Sequence, residues 1–236
     1  MLVQDVMQTP VVSAAPATTI AAAYRTMHDR SIRHLPIVDD GELVGIVTDR
    51  DLRYTTSRLH PSPVDAEASV TEVMTADIVT AGPLDPVEEA ARILRMRRIG
   101  CLPVVDGTEM VGIVTVTNLL DAIIRLTGLE KPGSRLAVSL PDEPGELARL
   151  TSRVAEAGLD VRSVLSYYED EIDDEFEAVP EGAPSSDDEE KPDEEDDAPP
   201  SRLRVILRID TLNIRPLAAD LRAEDFDVIW PVDKPS

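Results

Sequence analysis

The stretch from Gly45 to Asp51 reads Gly-Ile-Val-Thr-Asp-Arg-Asp, and it returns 67 residues later as Gly112 to Asn118. At that offset residues 6–52 align with 73–119 without a gap, and 20 of the 47 pairs are identical. Average residue frequencies would give roughly 3 identities by chance. The chain therefore contains a duplicated unit, and we expect the two copies to pack together about a pseudo-twofold axis.

Each copy predicts the element order βαββα. In the first copy, residues 11–12 predict a short strand, and apolar residues at helical spacing predict an amphipathic helix over about 19–29. Two apolar strands at 35–38 and 43–47 follow, separated by a turn, and a short helix comes after Thr48. In the second copy, Asp85-Pro86-Val87-Glu88 predicts a capping box at the start of the equivalent helix.

A third unit is predicted from residue 134 onward. Alternating apolar residues predict four strands, and two helices fall between them, which gives the ferredoxin-like order βαββαβ. The predicted fold class is α/β (α+β). It has two tandem repeats, at 1–60 and 61–130, and a ferredoxin-like domain at 134–233.

An acidic insertion at about 169–201 separates the second and third strands of the third unit. Residues 169–197 carry a net charge of −16, out of −23 for the whole chain. The insertion has too few apolar residues to offset the entropy cost of ordering, so we expect it to be disordered. The remaining charge of −7 disfavours binding to nucleic acid or to an anionic membrane.

Other function classes find no support in the residues. The three histidines show no metal-ligand spacing with one another or with Cys101, and no phosphate-binding glycine loop or serine elbow occurs. We therefore expect no catalytic residues, no metal and no enzymatic activity. Cys101 is the only cysteine, and its apolar surroundings predict an inert buried thiol. The absence of a signal peptide and of an apolar run long enough for a membrane span predicts a cytoplasmic protein.

Each copy resembles a cystathionine-β-synthase (CBS) domain. The residues that carry the resemblance are 32–39 with 45–51, and 99–106 with 112–118. The third unit resembles an ACT domain, through residues 142–147 after a strand. The whole order is similar to that of the acetoin utilisation proteins, which implies a role in acetoin or acetate metabolism.

The resemblance implies a binding site. CBS pairs bind adenosine-containing ligands between their repeats, so the implied regulatory ligand is AMP, ADP, ATP or S-adenosylmethionine, and no cofactor is implied. The implied nucleotide-binding residues are Arg33, His34, Pro36, Ile46, Val47, Thr48 and Asp51 in the first copy, with Ile113, Val114, Thr115 and Asn118 in the second. The ACT resemblance implies a homodimer and a small ligand near Asp142 and Gly145.

The key motif has two interpretations. Thr48 and Asp51 could hold a ribose, since a carboxylate accepts hydrogen bonds from hydroxyl groups. They also match a capping box, which needs no ligand. Asn118 replaces the acid in the second copy, and we expect it to be a poorer partner for the N-cap amide.

The copies also differ just before the strand predicted at 35–38, where Arg33-His34 of the first copy corresponds to Gly100-Cys101 of the second. These differences predict that the binding chemistry is concentrated around Thr48 and Asp51. The predicted function is a non-enzymatic regulator that senses an adenosine ligand. The alternative is a structural dimerisation or interaction module with no bound nucleotide.

Overall fold

The computed structural model describes residues 1–168 and 202–232, so the predicted disorder of 169–201 concerns residues outside the described part. The chain divides into two compact units, Met1–Ile123 and Ile124–Ser236. Within the described residues, no helix has the length and apolar character needed to cross a bilayer.

The first unit contains both copies of the repeat. Single-turn 3₁₀ helices at Val3–Asp5 and Val70–Glu72 begin the two copies. The first copy continues with α1 (Ile20–Arg30), β1 (His34–Asp39), β2 (Glu42–Thr48) and α2 (Asp49–Thr55), and the second with α3 (Val87–Arg97), β3 (Cys101–Asp106), β4 (Glu109–Thr115) and α4 (Val116–Leu126).

The two hairpins form one antiparallel sheet in the order β1-β2-β4-β3, and β2 meets β4 where Glu42 pairs with Glu109. Their registers correspond, because Leu35 lies opposite Val47 in the first copy and Leu102 lies opposite Val114 in the second. The predicted packing of the duplicated units against each other is thus confirmed.

The copies exchange their first residues. Gln8 forms two backbone hydrogen bonds with Ile113 of the second copy, and Thr75 forms the same two bonds with Ile46 of the first. Val3 is accordingly fully buried in the core of the second copy. The ranges 1–60 and 61–130 therefore describe the repeat in the sequence, whereas in space the first eight residues complete the core of the other copy.

Two local predictions were wrong. Residues 11–12 are not in a strand, since the segment makes only an isolated bridge between Ala14 and Ile37. The capping box at α3 is also absent, because the helix follows Pro86 and no side chain caps it. The Asp85 carboxylate instead accepts a hydrogen bond of 2.7 Å from the Gly82 amide and closes the preceding turn.

The second unit has the predicted element order. Its elements are β5 (Ser134–Pro141), α5 (Glu146–Glu156), β6 (Val161–Tyr168), β7 (Arg202–Ile209), α6 (Arg215–Ala223) and β8 (Asp227–Trp230). The strands form an antiparallel sheet in the order β6-β7-β5-β8. One apolar core joins alternate strand residues to both helices, for example Leu136 and Leu207 to Leu150 and Leu221.

Candidate functional site

A cavity of about 410 Å³ lies between the two copies in the first unit. Its walls come from both copies and include the segment that leads from the exchanged N-terminus into the first copy. The lining residues are Gln8, Val11, Val12, Ser31, Ile32, Arg33, His34, Gly100, Ile113, Thr115, Val116 and Thr117. A cavity of this size suits a ligand of nucleotide dimensions.

Arg33 and His34 bring basic side chains to the cavity from the first copy. His34 begins β1, and its backbone pairs with Thr48 at the end of β2. Its imidazole lies over Gly100, where a Cβ atom would come within 2.7 Å of Nε2. The ring occupies that position because Gly100 has no side chain.

Burial and charge act together on His34. Burial is the larger cause that lowers the pKa of its imidazole below 6.5, and the Arg33 guanidinium lowers it further. The Asp51 carboxylate has the opposite and smaller effect. His34 is therefore a neutral imidazole at neutral pH, and Arg33 carries the positive charge of the pair.

The second copy supplies the other wall from β4 and the first turn of α4. Ile113 and Thr115 lie on the strand, and Val116 and Thr117 begin the helix. The first turn of α4 has no acidic side chain, whereas the first turn of α2 contains Asp49 and Asp51 (the second of these corresponds to Asn118). The N-terminus of α4 therefore keeps the partial positive charge of its backbone amides uncompensated.

The Thr48–Asp51 motif and its counterpart Thr115–Asn118 each form internal hydrogen bonds. In the first copy, the Thr48 hydroxyl donates to Asp51 Oδ2 at 2.6 Å and accepts from the Asp51 amide at 3.1 Å. In the second, Asn118 Oδ1 accepts from the Thr115 hydroxyl at 2.7 Å and from the Thr115 amide at 3.0 Å.

The expectation that Asn118 would be a poorer partner for the N-cap amide was therefore wrong. The side-chain carbonyl oxygen of Asn118 serves as the acceptor that a capping box needs. The backbone amide of Asn118 donates to the Thr115 hydroxyl at 3.3 Å.

The implied nucleotide-binding residues fall into three groups. Arg33, His34, Ile113 and Thr115 line the cavity. Pro36, Val47 and Val114 are buried and do not line the cavity. The remaining residues, Ile46, Thr48, Asp51 and Asn118, lie outside the lining set.

The cavity thus lies against the second motif, whereas the sequence pointed to the first. The sequence interpretation missed the other eight of the twelve lining residues, among them Gln8, Gly100 and Thr117. The offset of 67 aligns each residue with its counterpart but does not show which residues of opposite copies meet in space. The unequal residues at 33–34 and 100–101 were the available signal.

Cys101 lies beside the cavity but does not line it. The side chain is buried, and burial raises the pKa of its thiol to about 12. The thiol is therefore protonated at neutral pH, and its burial agrees with the prediction, whereas its lack of reactivity stays a prediction. In the part of the chain that the structure describes, no three His, Cys, Asp or Glu side chains are grouped to hold a metal ion.

The second unit places both residues of the predicted ACT ligand site in the turn between β5 and α5. Gly145 immediately precedes the helix with a φ of +101°, a conformation that favours glycine. Asp142 lies three residues earlier, just after β5.

Comparison with known proteins identifies the repeats. The model of the CBS domain family matches residues 3–56 and 70–125. A CBS domain-containing protein of Dictyostelium discoideum is 35% identical over 139 residues, which span 53% of this chain and 93% of that relative.

Solved structures are similar to about half of the chain. One is a proposed acetoin utilization protein (AcuB) from Vibrio cholerae, with 33% identity and a TM-score of 0.48, covering 56% of this chain and 98% of that one. Another is a CBS domain pair in complex with 5′-methylthioadenosine and S-adenosyl-L-methionine, with 33% identity, a TM-score of 0.47 and the same coverage.

Proposed function

The chain belongs to the CBS domain-containing proteins, and on that basis we propose that it is a non-enzymatic regulator that binds an adenosine-containing ligand. The ligand is AMP, ADP, ATP or S-adenosylmethionine. The observation that carries the proposal is the cavity of about 410 Å³ between the two CBS domains, lined by residues of both.

The chemistry of the cavity fits a nucleoside. Val11, Ile32 and Ile113 offer apolar surface for a flat base. Thr115 and Thr117 offer hydroxyl groups that can both donate and accept hydrogen bonds, as ribose recognition requires. Apolar walls with a few polar groups are typical of small-molecule sites.

Regulation follows from the position of the cavity. A ligand that contacts both CBS domains stabilises the arrangement of the pair that best fits it, and so shifts the population of arrangements. We propose that α4 transmits this shift, because its first turn lines the cavity and its last residue, Leu126, lies in the second unit.

Thermal unfolding of the full chain with AMP, ADP, ATP and S-adenosylmethionine tests the proposal. A ligand at 100 times its dissociation constant adds roughly 2.7 kcal/mol to the free energy of unfolding. Val116→Trp should block the cavity and abolish the shift. Met96→Trp, at an exposed position of α3 outside the cavity lining, should leave it intact. If none of the four ligands moves the unfolding temperature, the proposal fails.

The alternative is a structural interaction module, and one observation favours it. The Thr115–Asn118 box is complete without a ligand, so the motif also fits a purely structural role. α4 also exposes Leu120 and Ile123, each more than half accessible, which supports our proposal of a homodimer. Sedimentation analysis of Leu120→Glu tests the dimer, because a charge on an apolar interface should yield monomers. A mass that stays unchanged would contradict the use of this face.

We also propose that the second unit is an ACT-like domain. Its strand order β6-β7-β5-β8 and the glycine before α5 support this assignment. An amino-acid ligand near Asp142 and Gly145, a role in acetoin or acetate metabolism and a cytoplasmic location remain predictions from the sequence.

A further inference from the structure

The residues that differ between the two CBS domains meet in one place. Arg33 and His34 come from the first domain, where the second has glycine and cysteine. They line the same cavity as the start of α4, where the second domain has lost the acidic residues of the first. The first difference adds a cation to the wall, and the second removes two acids, Asp49 and Asp51, together with one cation, Arg50.

The charge of the cavity wall is one-sided. Among the twelve residues that line it, Arg33 is a permanent cation, and there is no aspartate or glutamate. Arg33 is exposed and lines the cavity, so its guanidinium is accessible to a ligand. A guanidinium forms paired, charge-assisted hydrogen bonds with phosphate oxygens.

Further donors lie on both sides of Arg33. The imidazole of His34 can donate one hydrogen bond in its neutral form and gains a second donor when protonated. Across the cavity, the first-turn residues Val116 and Thr117 bring the N-terminus of an eleven-residue helix, which favours an anion. The Asp51 carboxylate acts on His34 of this wall, but Asp51 does not line the cavity.

Resting on the function proposed above, we infer that the cavity selects phosphorylated adenosine ligands over the cationic S-adenosylmethionine, and that Arg33 is the specificity-determining residue. A sulfonium group in this cavity would meet a guanidinium and a helix N-terminus of like charge, with no lining carboxylate to offset the repulsion.

The experiment compares three ligands that share the adenine base and the ribose ring: adenosine, AMP and S-adenosylmethionine, titrated into the full chain by calorimetry at low salt. AMP should bind about tenfold or more tightly than adenosine, because hydrogen bonds to charged groups contribute that much. S-adenosylmethionine should bind more weakly than AMP, because its sulfonium and ammonium groups outnumber its single carboxylate. Added salt should reduce the preference for AMP, since ions screen charge interactions in a partly open site.

Two variants test whether Arg33 causes the preference for AMP over adenosine. Arg33→Gln should weaken AMP about tenfold and leave adenosine within about twofold. The control is Arg97→Gln, an exposed arginine near the end of α3 that does not line the cavity, and it should change neither affinity.

The outcomes separate the two proposals. If adenosine, AMP and S-adenosylmethionine all fail to bind, the proposed function is wrong. If adenosine binds but AMP is no tighter, or if S-adenosylmethionine equals AMP, the charge selection is refuted while nucleoside binding stands. A normal AMP affinity in Arg33→Gln would overturn the assignment of Arg33.

Discussion

Gly45→Ala tests the exchange of N-terminal segments between the two CBS domains. Gly45 lies in β2 of the first domain, and the side chain that packs on it is Met74, from the segment that begins the second. An ideal Cβ at Gly45 would lie 2.9 Å from Met74 Cγ and closer still to its sulfur. Gly112 has the same relation to Met7, with a Cβ to Cγ distance of 2.9 Å.

The expected change in the free energy of unfolding for Gly45→Ala follows from two opposing effects. Carbon atoms pack best at about 3.5–4.0 Å, so the added methyl group must push the methionine aside by about half an ångström or more. Overpacking of this kind costs about 1–3 kcal/mol. Replacing glycine by alanine returns about 0.4–1 kcal/mol, because the unfolded chain loses freedom. The net destabilisation should therefore be about 1–2 kcal/mol.

Urea unfolding of the full chain, followed by far-ultraviolet circular dichroism, measures the effect. Met74→Ala provides the second edge of a double-mutant cycle, because the small residue leaves room for the new methyl group. Gly45→Ala should then cost much less in the Met74→Ala background, with a coupling energy of about 1–2 kcal/mol. If Gly45→Ala is neutral in the native background, or the two effects simply add, Met74 does not pack on Gly45. The Gly112→Ala and Met7→Ala pair repeats the test at the symmetric position.

Three further predictions use the same unit. The pKa of His34 is below 6.5 in the folded state, so the unfolded chain binds the proton more readily, and the free energy of unfolding should fall as the pH drops through about 6.5. Thermal unfolding at several pH values should show a weaker acid dependence for His34→Gln than for the native chain. Cys101, with a thiol pKa of about 12, should resist a thiol reagent in the native chain and react fully in denaturant. Val3→Ala and Val70→Ala should each cost roughly 1.5–3 kcal/mol in urea unfolding, because both side chains are fully buried. A frayed N-terminus would make Val3→Ala neutral.

Much of the fold follows from local sequence. The paired strands are short apolar runs separated by a turn, and they supply Leu35, Ile37 and Val47 to the core of the first copy, as the hydrophobic effect favours. The prediction that failed at α3 shows the limit of such reasoning. Asp85 has the right spacing for a cap, but its carboxylate bonds to the Gly82 amide, and a sequence pattern cannot decide between two nearby donors.

The site was less predictable, because it depends on contacts between the copies. The sequence predicted that the binding site is centred on Thr48 and Asp51, yet the cavity is lined by Thr115. The exchange of N-terminal segments adds Gln8 to the cavity wall beside Ile113, but the exchange is reciprocal, since Thr75 pairs with Ile46 in the same way, and it does not favour one copy by itself. An internal alignment relates residues by symmetry, whereas a binding site is formed by residues that are adjacent.

The differences between the two domains are physically coupled. His34 fits over residue 100 only if that residue has no side chain, since even a Cβ atom would come within 2.7 Å of the imidazole. A repeat with the arginine of position 33 also at position 100 would therefore expel the histidine from this contact. It follows that a symmetric pair could not contain this arrangement, and that the basic wall at 33–34 and the glycine at 100 form a single structural feature. The sequence differences at 33–34 and 100 that make the copies unequal also confine the positive wall to one cavity. We therefore expect one anionic ligand per chain.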